Sequence, residues 1–167
     1  MSGGFHHYHP PATGGTAVVD MASLLTAGQN NLNQTPAGNA VVWAGYESAV
    51  NTAVFGVPTA SEIPLLVAGR YLVAVNLYHT STVSRPNIGL WLQISTGGPW
   101  IDVPGESANA YIRDSEGHNE SSNAYPERLV IATGPMRLRA MGKRLADNGT
   151  VNTPANLGWI TIKYLGA

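Results

Sequence analysis

The chain has no cysteine and few charged side chains. Cysteine is absent from all 167 residues, and Asp, Glu, Lys and Arg together make up 11% of them. The first absence excludes disulfides and thiolate metal sites. The formal net charge of -1 lacks the basic excess that binding to nucleic-acid phosphates requires. We therefore expect neither a disulfide-stabilised scaffold nor a nucleic-acid-binding protein.

Long apolar runs are also missing. No segment reaches the roughly 20 apolar residues that a membrane-spanning helix needs. The first residues, which include His6, His7 and His9, do not have the pattern of a signal peptide. The sequence predicts a soluble protein without a membrane partner that does not follow the usual secretory route.

Signatures of catalysis and of cofactor binding are absent as well. The sequence has no cysteine nucleophile, no Gly-x-Ser-x-Gly turn, no phosphate-binding loop and no dinucleotide fingerprint. A pair of glycosidase carboxylates is an open alternative, because any two of the ten acidic residues could converge in a fold. We expect a protein that is not an enzyme and that uses no cofactor.

Charge is distributed unevenly along the chain. Asp20 is the single charged residue in the first 46, where Gly, Asn, Thr and Pro are frequent. A segment of such composition cannot form a hydrophobic core of its own, although apolar and aromatic residues occur in it at intervals. We predict that residues 1–39 form an N-terminal arm that binds a partner surface. Its contact residues are expected to be Phe5, His6, His7, Tyr8, His9, Val18, Val19, Met21, Leu24 and Leu25.

One short helix is predicted within this arm. Asp20 is a suitable N-cap, Met21, Leu24 and Leu25 have helical spacing, and Gly28 is a suitable end. A helix of under three turns is marginal alone. We expect it to form when its apolar side docks on a partner.

Residues 40–167 have the pattern of an all-β domain. Between Arg70 and His79 the apolar residues alternate, which places Tyr71, Val73, Val75 and Leu77 on one face. Further strands are expected at 88–94, 100–103, 108–113, 128–132, 136–141 and 159–165, with two more upstream at 40–43 and 49–55. Gly or Pro separates nearly all of them. Many short strands without a long helix predict a β-sandwich or jelly roll.

Two clusters contain side chains that metals accept. Histidines 6, 7 and 9 are one, although adhesive contacts in an arm explain them as well. The loop 113–120 is the other, in which Asp114, Glu116 and Glu120 are candidate Ca²⁺ ligands. A solvated connection between strands explains that loop better, since it lacks the spacing of a known calcium loop. We predict no metal site.

Cationic and aromatic residues in the strands have a structural and a functional interpretation. Arg137, Arg139 and Lys143 fall on one strand face, which is either solvated, subunit-facing or a groove for a glycan or a nucleic acid. The tryptophans lie in or beside strands, where core or subunit packing is the first expectation and sugar stacking the second: Trp43, Trp91, Trp100 and Trp159.

Three segments resemble the jelly roll of the tumour necrosis factor and complement C1q families. They are Ala68–Val73, Thr133–Leu138 and Leu157–Ile162. The resemblance covers roughly residues 40–167. Pro135 departs from it, because the families usually have an acidic or polar residue there. The resemblance implies a homotrimer whose protomers pack around apolar and aromatic strand faces.

An uncharged arm joined to a small jelly roll is similar to the decoration (cement) and head-fibre proteins of tailed bacteriophages. This similarity implies a virion structural protein on the outer surface of the capsid, assembled in the host cytoplasm. Its partners would be the major capsid protein and neighbouring copies of itself. Three arms on one trimer would bind together far more tightly than one arm alone.

A second hypothesis is a trimeric fibre-tip domain that binds a host receptor or glycan. Exposed loops such as 113–122 would contact the sugar. A third, an enzyme acting on polysaccharide, would require two carboxylates close together in a cleft.

Overall fold

The computed structural model describes residues 20–28, 32, 38–81, 86–105, 108–111, 120–146 and 151–167, with the backbone alone for 120–126 and 146. These residues form twelve β-strands and no helix, which confirms the all-β class. The strands are β1 (Asp20–Thr26), β2 (Asn39–Ala40), β3 (Trp43–Tyr46), β4 (Ile63–Leu65), β5 (Gly69–Ser81), β6 (Asn87–Ser95), β7 (Ile101–Asp102), β8 (Ala108–Tyr111), β9 (Glu120–Ala132), β10 (Met136–Ala146), β11 (Val151–Asn152) and β12 (Trp159–Tyr164). The described residues contain no helix that could cross a membrane.

The first sheet is built around β5. This strand pairs with β9 along one edge and with β12 and then β11 along the other. Next to β12 lies β1, and next to β1 lies β3. All of these pairs are antiparallel. Asp20 of β1 stands opposite Tyr164 of β12, so strands from the two ends of the described chain are neighbours.

The second sheet has β10 and β6 at its centre. Their antiparallel pairing runs from Arg137 opposite Ser95 to Ala146 opposite Asn87, with one register shift near the end. Beyond β10 lie β4 and β2, and beyond β6 lie β7 and β8. The extra strands on each edge are short, so the second sheet is a long two-stranded ladder with short flanking pieces.

A large apolar core joins the two sheets, in addition to a small buried cluster of Leu32, Ile88 and Val151. Along β5 every second residue from Gly69 to Ser81 is buried, as the two-residue period of a strand requires. The predicted inward face of β5 is therefore confirmed. It packs in one cluster with Leu90 and Leu92 of β6 and Leu138 of β10, which have 0% exposure.

Tyr71 lies near one end of this core. Its ring meets Phe55 edge-on with 6.3 Å between centroids and Tyr164 at 5.0 Å. Its hydroxyl donates to the carbonyl oxygen of Val67 over 2.8 Å. Burial raises the pKa of Tyr71, because desolvation disfavours the phenolate. The hydroxyl therefore remains a hydrogen-bond donor at neutral pH.

The helix predicted from Asp20 to Gly28 is wrong, because these residues contribute strand β1. The residues Ala22, Leu24 and Thr26 are buried, which is the alternation of a strand. Pairing with β12 on one side and β3 on the other outweighs the weak helical preference of so short a segment. β1 thus joins the sheet although it precedes the predicted domain boundary at residues 39 and 40. The arm remains a prediction for residues 1–19, which lie outside the described residues.

Other strand boundaries differ from the sequence-based ones. The stretch 49–55 forms turns and a bridge from Phe55 to Leu65, so the strand predicted there is wrong. Asn51 explains the turn, because its side-chain oxygen accepts from the backbone N–H of Ala53 over 3.0 Å. β9 begins at Glu120 and is much longer than predicted, because its partner β5 offers pairing up to Thr80.

Candidate functional site

The outer side of the first sheet exposes large apolar side chains. They alternate with the buried residues along β1, β5, β9 and β12, and we call them the apolar face: Met21, Leu25, Leu72, Ala74, Leu129, Ile131 and Trp159. The exposed fractions are 52% for Met21, 50% for Leu129, 62% for Ile131 and 38% for Trp159. A strand in a monomeric sandwich normally turns polar residues outward. Here several outward positions are apolar, among polar ones such as Arg70, Asn76 and Thr161.

Strand register arranges the apolar face in rows. One row across β1, β12, β5 and β9 consists of Met21, Lys163, Leu72 and Leu129. A second row consists of Leu25, Trp159 and Asn76, and the row between them consists of Ser23, Thr161 and Ala74. Side chains directly opposite each other in antiparallel strands have Cβ atoms about 4.5–5.5 Å apart. The apolar residues are therefore neighbours on one sheet face, where small and mainly polar side chains separate the two rows.

The charge within the apolar face is paired. Lys163 Nζ donates to Glu127 Oε1 over 2.8 Å, and the two side chains are 39% and 48% exposed. An ion pair so accessible to water contributes at most about 1 kcal/mol to stability. Its larger effect is to cancel the charge of the lysine in the middle of the patch, which lowers the cost of covering it with another surface.

A flat apolar sheet face is suited to packing against another protein surface. Contiguous exposed apolar patches in soluble proteins mark interaction sites or aggregation hazards. Leu129, Ile131 and Trp159 have the large side chains that dominate interface energetics. The geometry of this site is compatible with association.

The predicted partner-binding residues fall into three groups. Phe5, His6, His7, Tyr8, His9, Val18 and Val19 lie outside the described residues. Met21 and Leu25 belong to the apolar face. Leu24 points into the core with 0% exposure and is not available to a partner. Met21 and Leu25 thus lie on the outer side of the first sheet.

Sequence reasoning missed the contribution of β9 and β12 to this face. Leu129 and Ile131 flank the buried Val130, and Trp159 precedes the buried Ile160. The end of β9 is thus apolar on both faces, which indicates burial on both sides, whereas β12 has Thr161 and Lys163 outward after Trp159. That signal was present in the sequence, and it points to a covered outer face.

The two candidate metal clusters cannot be placed. The histidines of 5–9 and the acids Asp114 and Glu116 lie outside the described residues, and of Glu120 the backbone alone is described. Within the described ranges, no three His, Asp or Glu side chains come together in a way that could hold a metal ion.

The tryptophans occupy different environments. Trp43 is in the core with 4% exposure, and Trp91 packs against it from the second sheet. Trp159 belongs to the apolar face. Trp100 lies beneath two guanidinium groups, with the carbon of Arg139 at 4.0 Å and that of Arg137 at 5.2 Å from the ring centroid. Packing explains the first three, whereas Trp100 sits in a polar cluster on the second sheet.

The two antiparallel sheets form a jelly roll of the tumour necrosis factor type. The crystal structure of murine APRIL at pH 8.0 is similar with a TM-score of 0.63 and 8% identity, covering 88% of this chain and 99% of that one. Eiger TNF from S. frugiperda is similar with a TM-score of 0.60 and 12% identity, covering 89% and 93%. At such identities the likeness establishes the fold alone. No protein-family model and no curated protein matches the sequence.

Proposed function

We propose that the protein is a virion structural protein, a decoration or cement protein that binds and stabilises a phage capsid as a homotrimer. The apolar face is the observation that carries self-association. The capsid as partner is supported by the organisation of the sequence, in which an uncharged N-terminal segment precedes a small jelly roll.

Self-association follows from the cost of leaving the apolar face in water. Each Å² of apolar surface removed from water contributes about 25 cal/mol. Ile131, Met21 and Leu129 are each at least half exposed, so a partner surface would gain from covering them. A second copy of the chain supplies a matching apolar surface. Three copies are the number that the resemblance to the tumour necrosis factor and C1q families implies.

Decoration follows from combining the trimer with its N-terminal segments. Each segment joins its domain at Asp20, where β1 pairs with the end of β12. Each of the three copies would form one weak contact area on the capsid with residues such as Phe5, Tyr8 and Val18. Because the trimer links the three contact areas, each raises the effective concentration of the others, and the trimer would dissociate slowly from a capsid.

Sedimentation analysis of an Ile131→Glu variant tests self-association. Ile131 is 62% exposed, so the change costs the fold little, but it places a charge in the apolar face. We expect the wild type to have three times the 17.6 kDa mass of one chain and the variant to have the mass of one. Val57→Glu is the matched control, because Val57 is 85% exposed and lies outside the apolar face. A wild-type monomer at 100 μM, or a trimeric Ile131→Glu variant, would contradict the proposal.

Capsid binding is tested by a truncation that ends before β1. Deleting residues 1–19 keeps Leu24 in the core, whereas a deletion up to residue 36 would remove a strand of the sheet. We expect the shorter deletion to leave a folded trimer that no longer cosediments with capsids of the virus that encodes the chain. Full occupancy by the truncated trimer would show that the segment is not the anchor.

The alternative, a fibre-tip domain that binds a receptor or glycan, is favoured by a different observation. Most of the loop 113–122 named for it lies outside the described residues. The cluster around Trp100 on the second sheet, however, has the residue types that sugar sites use. Its ligand chemistry is developed below.

A further inference from the structure

A depression on the second sheet lies beside two arginines. It has a volume of about 300 Å³ and is lined by Pro64, Leu66, Ser95, Pro135 and Arg137, among others. Ligand sites in proteins begin at about this size. Its wall is mostly apolar, with a guanidinium and a hydroxyl at one side. The depression therefore suits a small ligand that has both an apolar face and polar groups.

Arg137 lines this depression and also stacks on the ring of Trp100. Both Arg137 and Arg139 project from the outer side of β10, and both guanidinium groups lie within about 6 Å of the indole centroid, where the ring attracts a cation. Two like charges are thus held near each other by one aromatic ring. The arrangement produces a cationic site on the rim of the depression.

Hydrogen bonds fix the orientation of Arg139. Its Nε and Nη2 donate to Gln93 Oε1 over 2.9 and 2.7 Å. Gln93 Nε2 in turn donates to Asp102 Oδ1 over 2.8 Å, which fixes the amide. Both bonds of Arg139 use one edge of the guanidinium. A held guanidinium loses little further freedom on binding, which favours affinity.

The two arginines differ in their anionic partners. Arg137 Nη1 donates to Glu62 Oε2 over 2.9 Å, and its Nη2 to the hydroxyl of Ser95 over 3.4 Å. The oxygen that Arg139 contacts belongs to a neutral amide. Burial lowers the pKa of Arg139, Glu62 partly opposes that effect, and the charge of Arg137 adds to it. The cluster would be stabilised by one more negative charge close to Arg139.

We propose that this site binds an acidic sugar residue, with its carboxylate on Arg139 and Arg137 and its ring in the adjacent depression. Planar guanidinium groups bind carboxylates through paired hydrogen bonds. The C–H face of a sugar ring suits Pro64, Leu66 and Pro135. The site deepens the glycan-binding alternative and is independent of the trimer and of the capsid.

Titration calorimetry with defined sugars tests the site in the full-length protein. The acidic probes are glucuronate and N-acetylneuraminate, and the neutral ones are glucose and N-acetylglucosamine. We expect saturable binding of at least one acidic sugar, none of the neutral ones, and weaker binding at high salt. Failure of both acids to bind at 20 mM, or equal binding of neutral sugars, would overturn the proposal. Tighter binding of an acidic tripeptide would overturn it in favour of a peptide ligand.

Three variants separate recognition from structural support. Arg139→Gln should weaken binding of the acidic sugar about tenfold or more, since a charge-assisted pair is lost. Glu62→Gln should tighten it about threefold to tenfold, because it removes the carboxylate that competes for Arg137. Arg70→Gln, on the first sheet, should change nothing.

The Glu62→Gln result is decisive, because a cluster that only supports the fold predicts no gain. Unchanged binding in Arg139→Gln, or unchanged or weaker binding in Glu62→Gln, would overturn the assignment. Near-ultraviolet circular dichroism confirms that each variant is folded, and Arg139→Lys provides a second test if Arg139→Gln is not. Lysine keeps the charge but cannot form the paired bonds, so its affinity should fall between those of wild type and Arg139→Gln.

Discussion

Leu24→Ala measures whether β1 is an integral part of the folded domain. Leu24 has 0% exposure and belongs to the core cluster that joins the two sheets. Truncating such a leucine costs 2–5 kcal/mol, and for a residue in a strand with partners on both sides we expect about 3 kcal/mol. Met21→Ala is the matched control on the same strand, because Met21 is 52% exposed. It should cost less than about 1 kcal/mol.

Urea unfolding monitored by tryptophan fluorescence gives both values. The experiment is best done in the Ile131→Glu background, since self-association would make the apparent stability depend on concentration. A loss of about 3 kcal/mol corresponds to a melting temperature lower by roughly 6–12 °C for a domain of this size. If Leu24→Ala changed the free energy of unfolding by under 0.5 kcal/mol with the same m-value, β1 would not be part of the cooperative fold. The residue would then belong to an arm.

Two further predictions concern a close backbone contact and a buried hydroxyl. Gly69→Ala should cost about 1–3 kcal/mol, because φ is 146° and the new Cβ would lie 2.5 Å from Tyr164 Cε2 and 2.7 Å from the oxygen of Gly166. Gly98→Ala, with no described heavy atom within 4 Å of its Cβ, should be near neutral in the same denaturation assay, and equal costs would refute the reasoning. Burial raises the pKa of Tyr46 to about 12, so its contribution to stability is complete below pH 10 and is lost as pH rises through 12. Tyr46→Phe should flatten the fall in stability between these pH values; an unchanged slope would show that Tyr46 ionises normally.

The fold was predictable from period and turn residues where strands are long. The alternation from Tyr71 to Leu77 placed one face inward, and the structure confirms it. β1 was not predictable in this way, because Met21, Leu24 and Leu25 fit a short amphipathic helix as well as a strand. The choice depends on pairing with β12, which is distant in sequence. The local sequence pattern contains no information about a partner strand so distant in sequence.

The candidate site, like the fold, was predictable from the sequence only in part. Leu129 and Ile131 carried a readable signal, since a strand that is apolar on both faces indicates a covered outer side. The stacking of Arg137 and Arg139 on Trp100 could not be predicted from the sequence, although both arginines were expected on one face of their strand. Trp100 lies near them because β6 and β7 form a hairpin next to β10, and the turn of that hairpin contains Gly97, which has a φ of 107°.

The position of β1 between β12 and β3 has a consequence for the order of folding. Asp20 is made early and Tyr164 late, so the ribosome releases β1 long before the strand that it pairs with exists. Until then β1 can pair with β3 on one edge, but the edge that β12 covers stays unpaired, and unpaired strand edges are prone to aggregation. Contacts so distant in sequence also form slowly. Completion of the first sheet therefore waits for the synthesis of β12, and a nascent chain that lacks β12 is the species most in need of a chaperone.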